Sequence, residues 1–311
     1  MLRETLSAMR DLPRLHEISS VLIRHGLGDS VSRLGITGLL ERAGQMLHMG
    51  EAAETDHLEP AQRIRIALEE LGPTFVKLGQ LMATRLDLFP PAWIGELEKL
   101  HSEVAPVEFD ELLPELERAL GRSPFEVFRE VDRQPHGAAS IAQVHRAKLL
   151  DGTPVILKIR RPGIRAKIEA DLRILANLAE LVEAEMPEAR RYQPTLLAAQ
   201  FARSLERELD LALEARHIER FAKNFADDSL VVIPKAYASW SCETLNVQQH
   251  IDGIPATDLA AVDAAGLDRK LLAARAHRLP APGVAEAQDR IGNGAGVSFD
   301  ADGHRQSSGS P

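Results

Sequence analysis

One hairpin signal interrupts an otherwise helical pattern and constrains the fold more than any other feature of the chain. Ser140–Leu149 and Pro154–Ile159 are short runs of β type, and Asp151-Gly152 between them is a typical hairpin turn. An isolated hairpin is only marginally stable, so it needs further strands or a covering helix. The remaining β-type runs are Leu230–Pro234 and Thr244–His250. We therefore predict an α+β fold in which one small sheet packs among helices.

Helical periodicity extends over most of the rest of the chain up to Arg275. Gly72-Pro73 and Pro90-Pro91 punctuate its first half. An amphipathic stretch from Leu15 to Leu39 is interrupted by glycines, so it is a broken helix that either packs inside a domain or lies on a membrane or partner surface. The other predicted helical segments are Pro60 to Leu100 in several pieces, Glu111–Leu120, Pro124–Glu130, Ile164–Glu185 and Pro194–Phe225.

Charge and composition exclude several classes of function. The 37 Lys and Arg residues against 46 Asp and Glu leave a net charge of −9, which disfavours a nucleic-acid-binding protein. Aromatic residues, at 4%, are too few for a base-stacking surface. The single cysteine, Cys242, excludes a disulfide framework and fits a reducing compartment. No run of 18 apolar residues and no secretory leader are found, so we expect a cytoplasmic chain.

Lys158 is the candidate for phosphate binding, because it ends the run Val155–Leu157 on the second strand of the hairpin. A nucleoside triphosphate brings about four negative charges, and a strand lysine neutralises them best when a helix glutamate holds its ammonium group. Glu214 is the candidate glutamate, with Glu208 and Asp210 one to two turns earlier. Taken alone, these residues fit an edge-strand lysine and a solvated acidic helix face better than a nucleotide site.

Three motifs in a fixed order favour the nucleotide site over the surface role. Pro73–Gln80 ends in K-x-G-Q, Gly137–His145 begins with an alanine-rich loop, and Glu206–Asp210 contains E-x-D. In this order and spacing the chain resembles the UbiB/aarF (ABC1) family of atypical protein-kinase-like proteins, which are linked to ubiquinone biosynthesis. The resemblance covers about residues 60–275.

The resemblance implies a nucleotide site in which Lys158 anchors the phosphates and Glu214 is its ion-pair partner. The hinge, Gln248–Gly253, would meet adenine through its backbone. Alanines do not adopt the positive φ angles that glycines allow, so the phosphate loop must be shaped differently from a glycine-rich one. The remaining expected nucleotide contacts are Ala138, Ala139 and Ser140 in that loop and Gln249 in the hinge.

The K-x-G-Q motif belongs, by the same resemblance, to an N-terminal extension that folds across the nucleotide pocket. Lys77, Gly79 and Gln80 are its motif residues, and Lys77 is expected to pair with Glu208 and Asp210 of the E-x-D motif. Such an extension occupies the place of a protein substrate. The resemblance therefore favours a small-molecule, lipid-linked or ATPase role over phosphorylation of other proteins.

One family feature is missing from the sequence. The string H-x-D-P-H-P-G-N, whose Asp and Asn serve catalysis and Mg²⁺ binding, does not occur in the 311 residues. The family-like text ends at Arg275, and Ala276 to Pro311 is rich in Gly, Ser and Pro, which predicts a disordered tail of truncated or out-of-frame origin. ATP and Mg²⁺ are implied as cofactors, but we expect no catalytic residue, no metal ligand and no activity from this chain by itself.

The sequence thus predicts an atypical protein-kinase-like fold: an N-lobe with a helical N-terminal extension and an incomplete C-lobe. The expected function is an atypical kinase or ATPase that supports ubiquinone biosynthesis, peripheral to the inner membrane, with nucleotide, lipid or quinone-precursor partners. The alternative is a non-catalytic protein- or lipid-binding module. The predicted domains are residues 1–59 (amphipathic helices), 60–135 (extension with K-x-G-Q), 136–253 (N-lobe), 254–275 (start of the C-lobe) and 276–311 (tail).

Overall fold

A computed structural model describes residues 2–28, 32, 57–100, 104–228, 231–254 and 258–278. The chain divides into a helical unit, residues 1–103 and 163–206, and a sheet unit, residues 104–162 and 207–311. The predicted amphipathic stretch beyond residue 28, except Ser32, and the predicted tail beyond residue 278 lie outside the described residues.

Helices and four strands follow one another in mixed order within the described ranges. Among the described residues, no helix is both long and apolar enough to cross a membrane. In chain order the elements are α1 (Leu2–Arg24), α2 (Pro60–Leu71), α3 (Pro73–Ala83), α4 (Pro91–Leu97), α5 (Phe109–Leu120), β1 (Phe128–Ala138), β2 (Ala142–Leu149), β3 (Pro154–Arg160), α6 (Ile164–Glu185), α7 (Pro194–Leu209), α8 (Leu211–Asn224), β4 (Leu245–Gln249), α9 (Leu259–Ala264) and α10 (Arg269–Arg278).

The helical unit is organised around the junction of α2 and α3. Gly72 joins them with φ at +96°, a conformation that glycine adopts without steric cost. Pro73 then occupies the first turn of α3, where its missing N–H is not needed. The core of this unit consists of Ile18, Val21, Ala67, Leu71, Phe75 and Ile174.

A buried ion pair ties the same junction to two other helices. Asp171 of α6 has no exposed surface, and its Oδ1 accepts a hydrogen bond from Arg14 Nε of α1 at 2.6 Å. Thr74 Oγ1 donates to the other carboxylate oxygen at 2.6 Å, and Arg14 Nη2 donates to the carbonyl of Leu71 at 2.7 Å. Both charges are thus paired where water does not reach them, and loss of either partner would strongly destabilise the unit.

The sheet unit contains one antiparallel sheet in the order β1-β2-β3-β4. Side chains alternate between the two faces of each strand. Ile156 and Lys158 of β3, with Asn246 and Gln248 of β4, therefore lie on the face opposite the apolar core. The core face is formed by Phe109, Leu112 and Leu116 of α5 with Phe128, Leu149, Val155, Leu157, Ile159, Leu245 and Val247 of the strands.

The predicted hairpin is confirmed, since β2 and β3 pair directly and Gly152 turns with φ at +89°. The predicted helix Pro124–Glu130 is wrong. Only a short 3₁₀ turn forms at Pro124–Glu126, and the chain enters β1 at Phe128. Most side chains of β1 are exposed and it contains Pro135, so it lacks the alternation that predicts a strand. Its structure comes from pairing with β2, which local sequence does not encode.

The predicted single helix Pro194–Phe225 is also wrong, because Asp210 divides it into α7 and α8. Asp210 leaves the helical conformation, with φ −97° and ψ 93°, and its side chain accepts a hydrogen bond from Ala212 N at 3.0 Å. Aspartate is a preferred residue for such a helix N-cap. The predicted strand Leu230–Pro234 is not formed as a strand, since within residues 231–234, its described part, only Val232 makes a single β-bridge.

Candidate functional site

Lys158 lies in the middle of the sheet, on the face away from the apolar core. Its neighbours across the ladder are Val144 of β2 and Asn246 of β4. Lys158 Nζ lies 2.8 Å from Glu214 Oε2, and the two side chains are only 14% and 7% exposed. The structure thus brings together the strand lysine and the helix glutamate that the sequence analysis singled out.

Glu214 is positioned by the local structure of α8. Asp210 caps the helix one turn earlier, so Glu214 falls in the first turn and on the buried side with Leu211 and Ala215. Burial raises the pKa of the Glu214 carboxyl, and the attraction of Lys158 offsets this only in part. One of its oxygens, Oε1, has no hydrogen-bond partner among the described residues.

Two buried amides lie on the same face of the sheet as Lys158. Asn246 has no exposed surface and Gln248 is 1% exposed. The side chain of Asn246 lies near Glu214, but neither of its polar atoms reaches hydrogen-bond geometry with a described group, and the same is true of Gln248 Oε1. Buried polar atoms are almost always paired, so such a cluster indicates a place where a ligand or water completes the hydrogen bonds.

The alanine-rich loop connects β1 to β2 in the same unit. Ala138 ends β1 and Ala142 begins β2, and Ala139 N donates to Ala142 O at 2.9 Å. Gln193 is the only described non-glycine residue with positive φ, and Gly137 is not among the glycines with positive φ. The loop, including Ser140, is therefore built from ordinary backbone angles and differs in shape from a glycine-rich loop.

The hinge region places Gln249 at the exposed end of β4. Its backbone N–H donates to Lys235 O at 2.8 Å, and its side-chain Oε1 accepts from Lys235 N at 3.3 Å. The N–H of His250 is also engaged, with Pro154 O at 3.1 Å. Backbone donors toward a base would therefore have to come from residues after His250.

The K-x-G-Q residues lie on α3 of the helical unit, where two of them have clear structural roles. Gln80 Nε2 donates to Leu100 O at 3.0 Å. A Cβ on Gly79 would overlap the side chains of Leu100 and Leu68, so glycine permits close packing there. Lys77 belongs to the helical unit, whereas Glu208 and Asp210 belong to the sheet unit, so the predicted pairing of Lys77 stays a prediction.

Residues 99–287 match the family described as "ABC1 atypical kinase-like domain". The chain belongs to this family. It is 37% identical over 266 residues to the probable protein kinase UbiB of Vibrio atlanticus, and 36% identical over 267 residues to that of Cronobacter sakazakii. Each match covers 85% of this chain and 49% of the relative, so the chain spans about half the length of these curated relatives.

A solved structure of the Rv3197–erythromycin complex from Mycobacterium tuberculosis is also similar. The two chains are 23% identical, and the match covers 75% of this chain and 51% of the Rv3197 chain with a TM-score of 0.45. The predicted family and the predicted kinase-like α+β fold are confirmed by the family match together with the observed helices and antiparallel sheet.

Sequence reasoning missed Asn246 and Arg161, and it named Gln248 only as the start of the hinge. Asn246 and Gln248 alternate with Leu245 and Val247 on β4, and this alternation was the available signal that one face of the strand is polar. Arg161 follows Lys158 by three residues and holds the alanine-rich loop. No local pattern distinguishes it from an exposed arginine at the end of a strand.

Proposed function

We propose that the sheet unit is the nucleotide-binding half of an atypical kinase or ATPase and that Lys158 holds the α- and β-phosphates of ATP. The observation that carries the proposal is the buried Lys158–Glu214 pair, whose atoms lie 2.8 Å apart on the polar face of the sheet. A lysine that served only the stability of the fold would more often lie exposed at the surface. Here it lies on the same face of the sheet as the buried amides of Asn246 and Gln248, which offer polar atoms to a ligand.

The residues present fit ATP but not its metal. Lys158 supplies positive charge, Glu214 fixes the direction of the ammonium group, and Asn246 and Gln248 offer unpaired donors and acceptors. ATP, when bound, would supply the phosphoryl group. The string H-x-D-x-x-x-x-N does not occur in the sequence, and no group of three or more metal-ligating side chains assembles among the described residues. We therefore expect the 311-residue chain by itself to bind ATP without turning it over.

The wider role follows the relatives. Proteins named probable protein kinase UbiB are the curated matches, so we extend the proposal to ubiquinone biosynthesis, with a lipid or quinone-precursor partner at the inner face of the membrane. The second candidate is a non-catalytic module that binds protein or lipid. The two differ in whether nucleotide binding depends on Lys158.

Calorimetric titration of the purified chain with ATP tests the proposal. We expect Lys158→Met to weaken ATP binding at least about tenfold, since hydrogen bonds to charged groups are worth about 1.5–3 kcal/mol. Lys148→Met is the matched control, because Lys148 lies on the neighbouring strand and pairs with exposed Glu130 at 2.8 Å. Equal affinity of wild type and Lys158→Met would refute the proposed site, and absence of ATP binding would favour the non-catalytic module.

A further inference from the structure

Arg161 holds the alanine-rich loop from the end of β3. Its Nε donates to the carbonyl of Ala139 at 2.9 Å, and its backbone N–H donates to the carbonyl of Ile141, also at 2.9 Å. Two of the three residues between β1 and β2 are thus fixed by one residue. Because Arg161 follows Lys158 on the same chain segment, the loop is attached to the strand that carries the lysine.

The same guanidinium also contacts a second backbone segment, which contains Ala105 and Val107. Arg161 Nη2 donates to the carbonyl of Ala105 at 2.9 Å. Gln143 of β2 exchanges two hydrogen bonds with the backbone of Val107, at 2.9 and 3.0 Å. Arg161 therefore bridges the loop and the backbone segment at Ala105, and these hydrogen bonds restrict the movement of the loop.

Arg161 has no carboxylate partner among the described residues, unlike its neighbour. Arg160 Nη1 pairs with Glu243 at 2.8 Å, whereas both side-chain hydrogen bonds of Arg161 go to neutral carbonyls. Burial lowers the pKa of the Arg161 guanidinium, and no acidic group counteracts that effect. A positive charge without a counter-ion therefore lies against the loop, and arginine is well suited to such a place because it is weakly hydrated and always charged.

The geometry of the peptide bond determines what the loop presents. The carbonyl of Ala139 and the N–H of Ser140 belong to one planar trans peptide, so they point in opposite directions. While Arg161 holds that carbonyl, the Ser140 N–H is turned away from the guanidinium. This N–H has no acceptor among the described residues. It is a fixed backbone donor of the kind that binds anions.

We propose that Arg161 is the positioning residue of the phosphate loop: it orients the Ser140 N–H toward the β- or γ-phosphate of a nucleotide held by Lys158. This inference rests on the proposed nucleotide site. It adds to that site the residue that orients the loop backbone, which glycines would orient through positive φ angles. The planar fork matters as well as the charge, because one ammonium group cannot hold the carbonyls of both Ala139 and Ala105 in the same geometry.

Titrations with ATP and with adenosine, which lacks phosphates, test this role. We expect Arg161→Gln to weaken ATP binding about tenfold and to leave adenosine binding unchanged. Arg161→Lys, which keeps the charge, is expected to recover only part of the loss. Arg118→Gln is the matched control, since Arg118 is an exposed arginine of the same unit that pairs with Glu115.

Hydrogen exchange of the free protein gives a readout that needs no nucleotide. We expect faster exchange of the Ala139 amide, which donates to Ala142 O, in both Arg161 variants and not in the control. Full ATP affinity in Arg161→Lys, equal weakening of ATP and adenosine, or unchanged exchange would each overturn the positioning role. If Lys158→Met abolishes ATP binding while the Arg161 variants bind normally, only this inference fails. If Lys158→Met binds normally, the proposed site and this inference fail together.

Discussion

Replacement of Lys158 by methionine leaves the Glu214 carboxylate buried without its cation. The two side chains are 14% and 7% exposed, and the joining distance is 2.8 Å. Removal of one partner from a buried ion pair costs about 3–5 kcal/mol. Because Lys158 keeps some contact with solvent, we expect the free energy of unfolding near neutral pH to fall by about 3 kcal/mol, the lower end of that range.

The loss should depend on pH, because the pKa of Glu214 is raised in the folded state above its ordinary 4.5. A carboxyl with a raised folded pKa favours the fold below its unfolded pKa, and this contribution is lost as the pH rises through the folded value. Without the attraction of Lys158 the pKa of Glu214 rises further. The destabilisation by Lys158→Met is therefore largest near neutral pH and small below pH 4.5, where the carboxyl is protonated in both states.

Urea denaturation followed by circular dichroism, at neutral and at acidic pH, measures both effects. A double variant, Lys158→Met with Glu214→Leu, removes both charges and should return to within about 1 kcal/mol of the wild type. Lys148→Met, whose pair with Glu130 is exposed, should lose less than about 1 kcal/mol. A Lys158→Met protein within about 0.5 kcal/mol of the wild type, or an equal loss at both pH values, would refute the reasoning.

Four further substitutions test the local structure by the same denaturation assay. Gly79→Ala should destabilise the chain by about 1 kcal/mol, because its Cβ would overlap two leucines, whereas Gly95→Ala on α4 meets no atom within 4 Å and should stabilise by about 0.5–1 kcal/mol; the opposite order would contradict the packing. Arg14→Met should cost about 3 kcal/mol or more, since it leaves Asp171 buried without its cation, and a neutral result would show that the pair contributes nothing. Asp210→Ala should cost about 1 kcal/mol through the lost helix cap, and should also weaken ATP binding by loosening Glu214; unchanged affinity would separate the cap from the site.

The part of the fold that the sequence predicts well is the part with strong local signals. The β2–β3 hairpin has alternating apolar runs and an Asp-Gly turn, and α6 forms over Ile164–Glu185 as its periodicity indicates. β1 carries mostly exposed side chains and becomes a strand only through its partner, so a local pattern misses it. The helix boundary at Asp210 was missed for a different reason. Aspartate is a local signal for a helix cap, but the apolar periodicity that continues past it predicted one uninterrupted helix.

The residues of the candidate site also differ in whether the sequence could predict them. Lys158 and Glu214 could be predicted because the three motifs supplied a family frame in which a helix glutamate holds the strand lysine, whereas the two residues taken alone fit a surface role better. Asn246 becomes a neighbour of Lys158 only through the register of β3 and β4, which no local sequence specifies. Arg161 could not be singled out either, because its significance lies in the carbonyls that it contacts across the sheet unit.

The alanine-rich loop explains why these contacts matter for binding. A glycine-rich loop can turn its N–H groups toward phosphate through positive φ angles, but Ala139 and Ser140 adopt ordinary ones. The Ala139 N–H is directed at Ala142 O, whereas the peptide that carries the Ser140 N–H is held from outside the loop by the hydrogen bond from Arg161 to Ala139 O. Since Arg161 and Lys158 are three residues apart at the end of one strand, any shift of β3 would displace the charged group and the backbone donors together. Under the proposed function, we therefore expect phosphate affinity to depend on the position of β3 more than on closure of the loop.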